Sequence, residues 1–271
     1  MTDKYAVIGN PISHSKSPLI HRMFAEQTRQ DMSYEAIESP LDGFAATIDR
    51  LRAAGYKGCN VTVPFKFEAF KMCVMQTGRA REAGAANTLL FQGDEIWGDN
   101  TDGAGLINDI EKNIGFKLMF KDALLLGAGG AAAGVIWPLF NAGVGVVIAN
   151  RTVEKAQEMA AQFEGAGTVF ARSFDQLAGR RFDLVINATS SSLADELPPL
   201  PHGLFNPGAL AYDMMYGRET PFMKFARAEG AAIVADGLGM LVEQAAEAFY
   251  KWREVRPDTR PVLAKLRLPL E

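Results

Sequence analysis

The stretch Leu124-Leu125-Leu126-Gly127-Ala128-Gly129-Gly130-Ala131-Ala132 constrains the fold more than any other part of the chain. An apolar run enters a glycine-rich turn, and residues 131–141 follow with apolar positions at helical spacing. Gly127, Gly129 and Ala132 fit the spacing G-x-G-x-x-G/A. Gly127 permits a tight turn, Gly129 lets bare backbone approach a pyrophosphate, and Ala132 lets the new helix pack close to its strand. The helix N-terminus then offers free N–H groups and a positive dipole end to phosphates. Glycine turns also cap ordinary strands, so the context decides. Here residues 121–126 read as a buried parallel strand, which favours a dinucleotide-binding strand–turn–helix unit.

The rest of the chain supports that setting. Before the turn, strands at residues 5–8, 33–37 and 58–63 alternate with helices at 19–28 and 41–54, and a polar, basic helical stretch runs on through Lys71. This alternation predicts a parallel sheet. Residues 85–91 and 95–97 read as two strands joined by the Gln92-Gly93-Asp94 turn. Asn100-Thr101-Asp102-Gly103 opens a helix, with Thr101 or Asp102 as its N-cap. A domain boundary falls near residue 101, because the glycine-rich turn starts a fresh series of strands and helices. The expected class is therefore α/β, with an N-terminal domain on a mostly parallel sheet and a Rossmann-type doubly wound domain after it.

Composition narrows the function. The chain has 271 residues, 48% hydrophobic and 22% charged, with a formal net charge of -4. No basic block suggests nucleic acid, and no apolar run reaches the ~18 residues of a membrane span. Two unclustered cysteines, Cys59 and Cys73, suggest a reducing, cytoplasmic compartment. With His14, His21 and His202 they make no convincing metal site, so none is expected. The N-terminus reads directly into a strand rather than as a leader.

The strand at Gly145–Ala149 ends in Asn150-Arg151-Thr152, with Lys155 one helical turn later. An Asp or Glu at this place would bind a ribose 2′-hydroxyl and repel a 2′-phosphate, whereas an Arg accommodates the phosphate. With a guanidinium, a hydroxyl and no carboxylate at the tip, the expected cofactor is NADP.

Polar residues where strands end face the crevice of an open α/β sheet. Ser15, Ser17, Thr62, Lys66, Asn87, Asp102 and Gln244 supply hydroxyls, amides, one ammonium and one carboxylate. That inventory suits a small polyhydroxylated acid. Hydride transfer at a secondary alcohol needs a group to take and return the hydroxyl proton, and Lys66 with Asp102 forms the natural pair. Each residue also has an ordinary role: Lys66 as a solvated charge, Asp102 as an N-cap, Ser15 and Ser17 in turn and cap, Asn87 on its own backbone, Thr62 facing a helix.

Taken together, these motifs resemble the shikimate dehydrogenase family over essentially the full length. The carrying segments are Gly9-Asn10-Pro11-Ile12-Ser13-His14-Ser15-Lys16-Ser17-Pro18, Asn60-Val61-Thr62-Val63-Pro64-Phe65-Lys66, Gly84-Ala85-Ala86-Asn87-Thr88 and Gly98-Asp99-Asn100-Thr101-Asp102-Gly103. The glycine turn, Asn150-Arg151-Thr152, Asn187-Ala188-Thr189-Ser190, Asp213-Met214-Met215-Tyr216 and Asp236-Gly237-Leu238-Gly239-Met240-Leu241-Val242-Glu243-Gln244-Ala245 complete them. Each is modest alone, and their joint presence in this order is highly specific.

The resemblance implies NADP-dependent reduction of 3-dehydroshikimate to shikimate, in aromatic amino acid biosynthesis. It implies Ser15 and Ser17 on the substrate carboxylate, with Thr62, Asn87, Tyr216 and Gln244 completing the pocket. Lys66 is then the acid/base, with Asp102 beside it. Gly127, Ala128, Gly129, Gly130 and Ala131 would hold the cofactor with Asn150, Arg151, Thr152 and Lys155, and Thr189, Met214 and Gly237 would line its nicotinamide side. It also implies that C-terminal helices return to the first domain, giving a substrate domain of 1–101 with 238–271 and a cofactor domain of 102–237. Two departures stand out: Ser192 where many relatives have glycine, and Gly78 roughly where they carry an acid. Neither touches Lys66 or Asp102. Two alternatives stay open: a quinate/shikimate paralogue with NAD use or altered substrate, and a non-catalytic dinucleotide-binding regulator. Monomer and homodimer are both open.

Overall fold

The computed structural model describes residues 2–165, 168–189, 191 and 195–268; Ser192 lies outside the described residues. The chain divides into two compact units, one from Met1–Leu106 with Leu241–Glu271 and the other from Ile107–Met240.

The first unit opens with β1 (Asp3–Gly9), α1 (Ser17–Thr28), β2 (Met32–Glu38), α2 (Phe44–Ala53) and β3 (Tyr56–Val61). β1 pairs in parallel with both β2 and β3, as the alternation predicts. Next come α3 (Lys66–Met72), β4 (Met75–Gln76), α4 (Gly78–Ala83), β5 (Thr88–Gln92), β6 (Glu95–Asp99) and α5 (Asp102–Asn108). The sheet order is β2-β1-β3-β5-β6-β4. β5 runs antiparallel to both neighbours, and the other pairings are parallel, so the sheet is mostly parallel as expected. The antiparallel course has a local cause. Gly93, at φ +56, closes a tight hairpin between β5 and β6, and a hairpin has no room for the helical crossover that parallel neighbours need.

The periodicity also passes over β4 and α4, which are too short to show a repeat. Their signals were terminal ones. Thr77 caps α4 by accepting from the Ala80 N–H, and Gly84 ends it at φ +57. Gly78 is an exposed residue opening that helix.

The second unit continues α5 into a single π turn, Asp109–Asn113. It then runs through β7 (Asp122–Leu126), α6 (Gly130–Asn141), β8 (Gly145–Ala149), α7 (Val153–Ala161), β9 (Val169–Arg172), β10 (Phe182–Asn187), β11 (Phe205–Asp213), α8 (Pro221–Ala228) and β12 (Ile233–Asp236). Its strands, in the order β12-β11-β10-β7-β8-β9, are all parallel. Order reverses beside β7, which is the doubly wound dinucleotide-binding arrangement. β9 was not legible, since its four residues follow a glycine-rich link. α9 (Leu238–Arg253) and α10 (Thr259–Arg267) close the chain. α9 starts directly after Asp236-Gly237.

In the first unit, one face of the sheet buries Ile8, Phe44, Ile48, Phe65 and Leu89, with the Phe44 and Phe65 rings stacked 4.8 Å apart. On the other face Trp252 of α9 stacks on Tyr5 at 4.6 Å and donates to the Leu89 carbonyl at 3.0 Å. Gly58 makes this approach possible, because a Cβ there would stand 2.3 Å from the Leu89 oxygen.

His21 of α1 lies in the same aromatic cluster, fully buried and stacked on Tyr34 at 4.1 Å. Burial disfavours the imidazolium and pushes its pKa down to about 3, against a weaker opposing contact with Asn60. The folded value lies below the unfolded one, so the unfolded chain takes up the proton first. The contribution of neutral His21 to stability is complete above about pH 6.5 and is lost as pH falls toward 3. Going from pH 7 to pH 4.5 is expected to cost wild type about 2–3 kcal/mol more than His21→Phe, measured by urea unfolding at both pH values. Equal losses in the two proteins would contradict a buried neutral imidazole.

Candidate active site

The antiparallel course of β5 builds the site in the first unit. It sets the first residues of β5 beside the last residues of β3 and β6: Thr88 pairs with Asn60 on one side and with Asp99 on the other. Lys66 follows directly as α3 begins, and Asp102 opens α5.

Lys66 Nζ donates to Asp102 Oδ2 in a close ion pair, and both residues are buried, at 9% and 4% exposure. Taking two charges out of water is costly unless their remaining polar atoms are satisfied. Asp102 Oδ1 accepts from Asn87 Nδ2 at 2.8 Å. Asn87 Nδ2 also lies 2.9 Å from Thr101 Oγ1 and 3.3 Å from Gln244 Oε1. Gln244 comes from α9 and is held by its own Nε2 donating to the Leu241 carbonyl at 2.8 Å. Lys66, Asn87, Asp102 and Gln244, far apart in the chain, thus form one buried cluster.

The ordinary roles do not describe Lys66 and Asp102. Lys66 is not a solvated charge. Asp102 is not the side-chain cap: Asn100 Oδ1 accepts the Asp102 N–H at 3.1 Å, and the Thr101 carbonyl accepts the first helical bond from Gly105. Asp102 therefore leaves its carboxylate to Lys66 and Asn87. Thr101 caps nothing with its hydroxyl, which meets Asn87 and Gln244 instead.

Thr62 follows β3 and commits its backbone to Ile8 and Phe65, leaving a half-buried hydroxyl. Ser17 opens α1, and its N–H donates to Ser15 Oγ at 3.3 Å, which ties the two serines into one turn. Tyr216 belongs to the second unit, in the loop after β11, and is half-buried. Sequence reasoning missed Asn60, Asn100 and Thr88 as parts of this cluster. For Asn60 a signal existed: it stands two residues before Thr62, the spacing that puts side chains on the same side of a strand.

In the second unit, Gly127 follows β7 at φ +107, a conformation that favours glycine, with the Ala188 carbonyl 3.1 Å from where a Cβ would be. Gly129, the N-cap of α6, has open space at its Cβ position and offers no side-chain cap. Ala128, Gly130 and Ala131 complete this bare turn, whose first helical N–H groups are left for an anion. At the end of β8, Asn150 Nδ2 donates to the Thr152 carbonyl at 2.8 Å and shapes the turn before α7. Arg151, Thr152 and Lys155 are exposed there, and among the described residues neither cation is ion-paired. This donor set fits the phosphates of a dinucleotide.

Thr189, Met214 and Gly237 follow the ends of β10, β11 and β12. Asn187, buried and given no role beyond its motif in the sequence, joins two of these ends. Its Oδ1 accepts from Thr189 Oγ1 at 2.7 Å, and its carbonyl accepts from the Met214 N–H at 3.0 Å. Gly237 presses on Met214, whose oxygen would stand 2.2 Å from a Cβ.

Family models match three parts of the chain: the shikimate dehydrogenase substrate binding domain over residues 7–89, shikimate / quinate 5-dehydrogenase over 109–194, and the shikimate 5′-dehydrogenase C-terminal domain over 237–267. A shikimate dehydrogenase (NADP(+)) from Methylobacillus flagellatus is 61% identical over 98% of this chain and 99% of its own. Among solved structures, an Ael1 enzyme from Pseudomonas putida is 48% identical, covers 100% of both chains and superposes with a TM-score of 0.90. A shikimate 5-dehydrogenase from Thermus thermophilus, solved with NADP(H) and shikimate, is 33% identical over 98% of this chain and 99% of its own, with a TM-score of 0.87. With models matched along its length and a relative this similar from end to end, the chain belongs to the shikimate dehydrogenase family.

Proposed function

We propose that this chain is an NADP-dependent shikimate dehydrogenase that reversibly reduces 3-dehydroshikimate to shikimate, in aromatic amino acid biosynthesis. The observation that carries this reading is the buried Lys66–Asp102 pair, with Asn87 on Asp102 and Gln244 on Asn87, in a member of this family. Ser15 and Ser17 are proposed to hold the substrate carboxylate, and Thr62, Asn87, Gln244 and Tyr216 its hydroxyls. The proposed substrate domain is 1–101 with 238–271, and the proposed cofactor domain is 102–237.

NADPH, when bound, supplies the hydride to the carbonyl carbon, and NADP+ takes it back in reverse. Lys66 Nζ gives a proton to the carbonyl oxygen as negative charge develops on it, and recovers that proton when the alcohol is oxidised. Asp102 orients the ammonium and balances its charge, so that the proton stands ready at Nζ. Gly127, Ala128, Gly129, Gly130 and Ala131 would present backbone to the pyrophosphate. Asn150, Arg151, Thr152 and Lys155 would surround the 2′-phosphate, and Thr189, Met214 and Gly237 the nicotinamide. The chain is proposed to act in the cytoplasm, as a monomer or homodimer. Its two cysteines are free and buried, and no described helix is long and apolar enough to cross a membrane.

The test is nicotinamide absorbance with purified protein, shikimate or quinate, and NADP or NAD. Shikimate-dependent reduction of NADP supports the reading. Turnover confined to NAD or quinate favours the paralogue, and tight NADP binding without turnover favours a regulator. Arg151→Ala is expected to raise the KM for NADP about 10–100-fold while changing that for NAD less than about 3-fold, since a charge-assisted contact to the 2′-phosphate is lost. Equal losses would reject Arg151 as the phosphate ligand.

A further inference from the structure

We propose that Thr88, together with Asn60, is a positioning residue for the Lys66–Asp102 pair, because the two set which way the Asn87 amide points. This rests on the proposed role of that pair. An asparagine amide has two nearly isosteric orientations, and only the one with Nδ2 toward Asp102 satisfies the carboxylate. Something must select it.

The selection starts from a backbone group. The Asn87 carbonyl can only accept, and Asn60 Nδ2 donates to it at 3.1 Å. That fixes the Asn60 amide, and its Oδ1 turns to Tyr34, whose hydroxyl donates at 2.7 Å. Asn60 Nδ2 also donates to Thr88 Oγ1 at 3.0 Å. With this donor on its oxygen, the Thr88 hydroxyl has its own proton to give, and it gives it to Asn87 Oδ1 at 2.9 Å. The Thr101 N–H, which can only donate, reaches the same Oδ1 at 2.8 Å. Asn87 Oδ1 thus faces donors, and Nδ2 is turned to Asp102 Oδ1 at 2.8 Å. Asn60, Asn87, Thr88 and Thr101 are all buried, so water does not relax this polarity. The order of donors and acceptors runs without a break from the Asn87 carbonyl to the carboxylate beside the acid/base.

Thr88→Val keeps the volume and removes the hydroxyl. Asn87 then loses one of the donors that orient it, and Asp102 and Lys66 lose alignment with it. The expected result is a kcat about 10-fold lower, a shikimate KM changed less than about 3-fold, and a larger solvent deuterium isotope effect on kcat. Thr88→Ser is expected to restore kcat to within about 2-fold of wild type. If Thr88 acts through Asn87, adding Thr88→Val to Asn87→Ala costs nothing further. Thr88→Ala, which removes the hydroxyl together with volume, should lower kcat as Thr88→Val does. Wild-type kcat in Thr88→Val, no rescue by Ser, an unchanged isotope effect, or losses that multiply with Asn87→Ala would each overturn the inference. If wild type turns over shikimate with NADP while one of these holds, the proposed function stands and only the role of Thr88 falls. If wild type does not turn over, both fall.

Discussion

Lys66→Ala is expected to lower kcat by about 10²–10⁴-fold, the range lost when a positioned proton donor is removed. NADP binding should change by less than about 2-fold, because the residues proposed for it belong to the other unit. The substitution has a second effect. Lys66 and Asp102 are both buried, and removing one partner strands the other charge, at a cost of about 3–5 kcal/mol. Lys66→Gln separates the two effects, since it keeps a donor for Asp102 but cannot shuttle the proton. Both variants should lose turnover, with Gln the more stable, and a small primary amine added to Lys66→Ala should recover part of the rate. Retention of more than about a tenth of wild-type kcat in a folded Lys66→Ala protein would remove Lys66 from the chemistry.

Gly239→Ala is expected to lower the stability of the second unit by about 3–5 kcal/mol, with no contact to the proposed chemistry. An alanine Cβ at this first turn of α9 would stand 1.8 Å from Asp109 Oδ1. Asp109 has nowhere easy to go. It is buried, its Oδ2 takes the Tyr212 hydroxyl at 2.7 Å, and its Oδ1 takes Asn113 Nδ2 at 2.9 Å. Moving it breaks both bonds in a dry place, and leaving it forces the helix backbone aside. The thermal midpoint should fall by about 10 °C. A variant that melts with wild type would mean that α9 starts further from Asp109 than it does here. The crowding also gives a physical reason for the glycine in Gly237-Leu238-Gly239, which motif reading quoted without one.

The parts legible in the sequence were those whose chemistry is local. Gly127 announces its own turn, and Arg151 with Lys155 announces a phosphate site without reference to anything distant. Lys66 and Asp102 were legible as candidates, but each also fitted an ordinary role, and only their burial against one another separates the readings. The illegible parts depend on pairing. Asn60 and Thr88 look like plain strand residues until β5 is known to run backwards beside β3, a pairing that neither residue announces. Asn187 looks like one more motif letter until β10 and β11 lie side by side. β4, α4 and β9 escaped because two to six residues cannot display a period.

Trp252 and Tyr5 stack although the whole second unit is inserted between them in the chain. On a ribosome, β1 through β6 emerge first, and the helix that covers Tyr5 and brings Gln244 emerges last. The residues of 107–240 take on the order of ten seconds to synthesise at roughly 5–20 residues per second. Through that interval the nascent first sheet has α1 but not α9 on the Tyr5 side of its core, and the apolar surface that α9 will cover invites chaperones or aggregation. The second unit begins later but draws its strands from one continuous run, so it can be finished while the first still waits. The part proposed to recognise the substrate is thus started first and completed last.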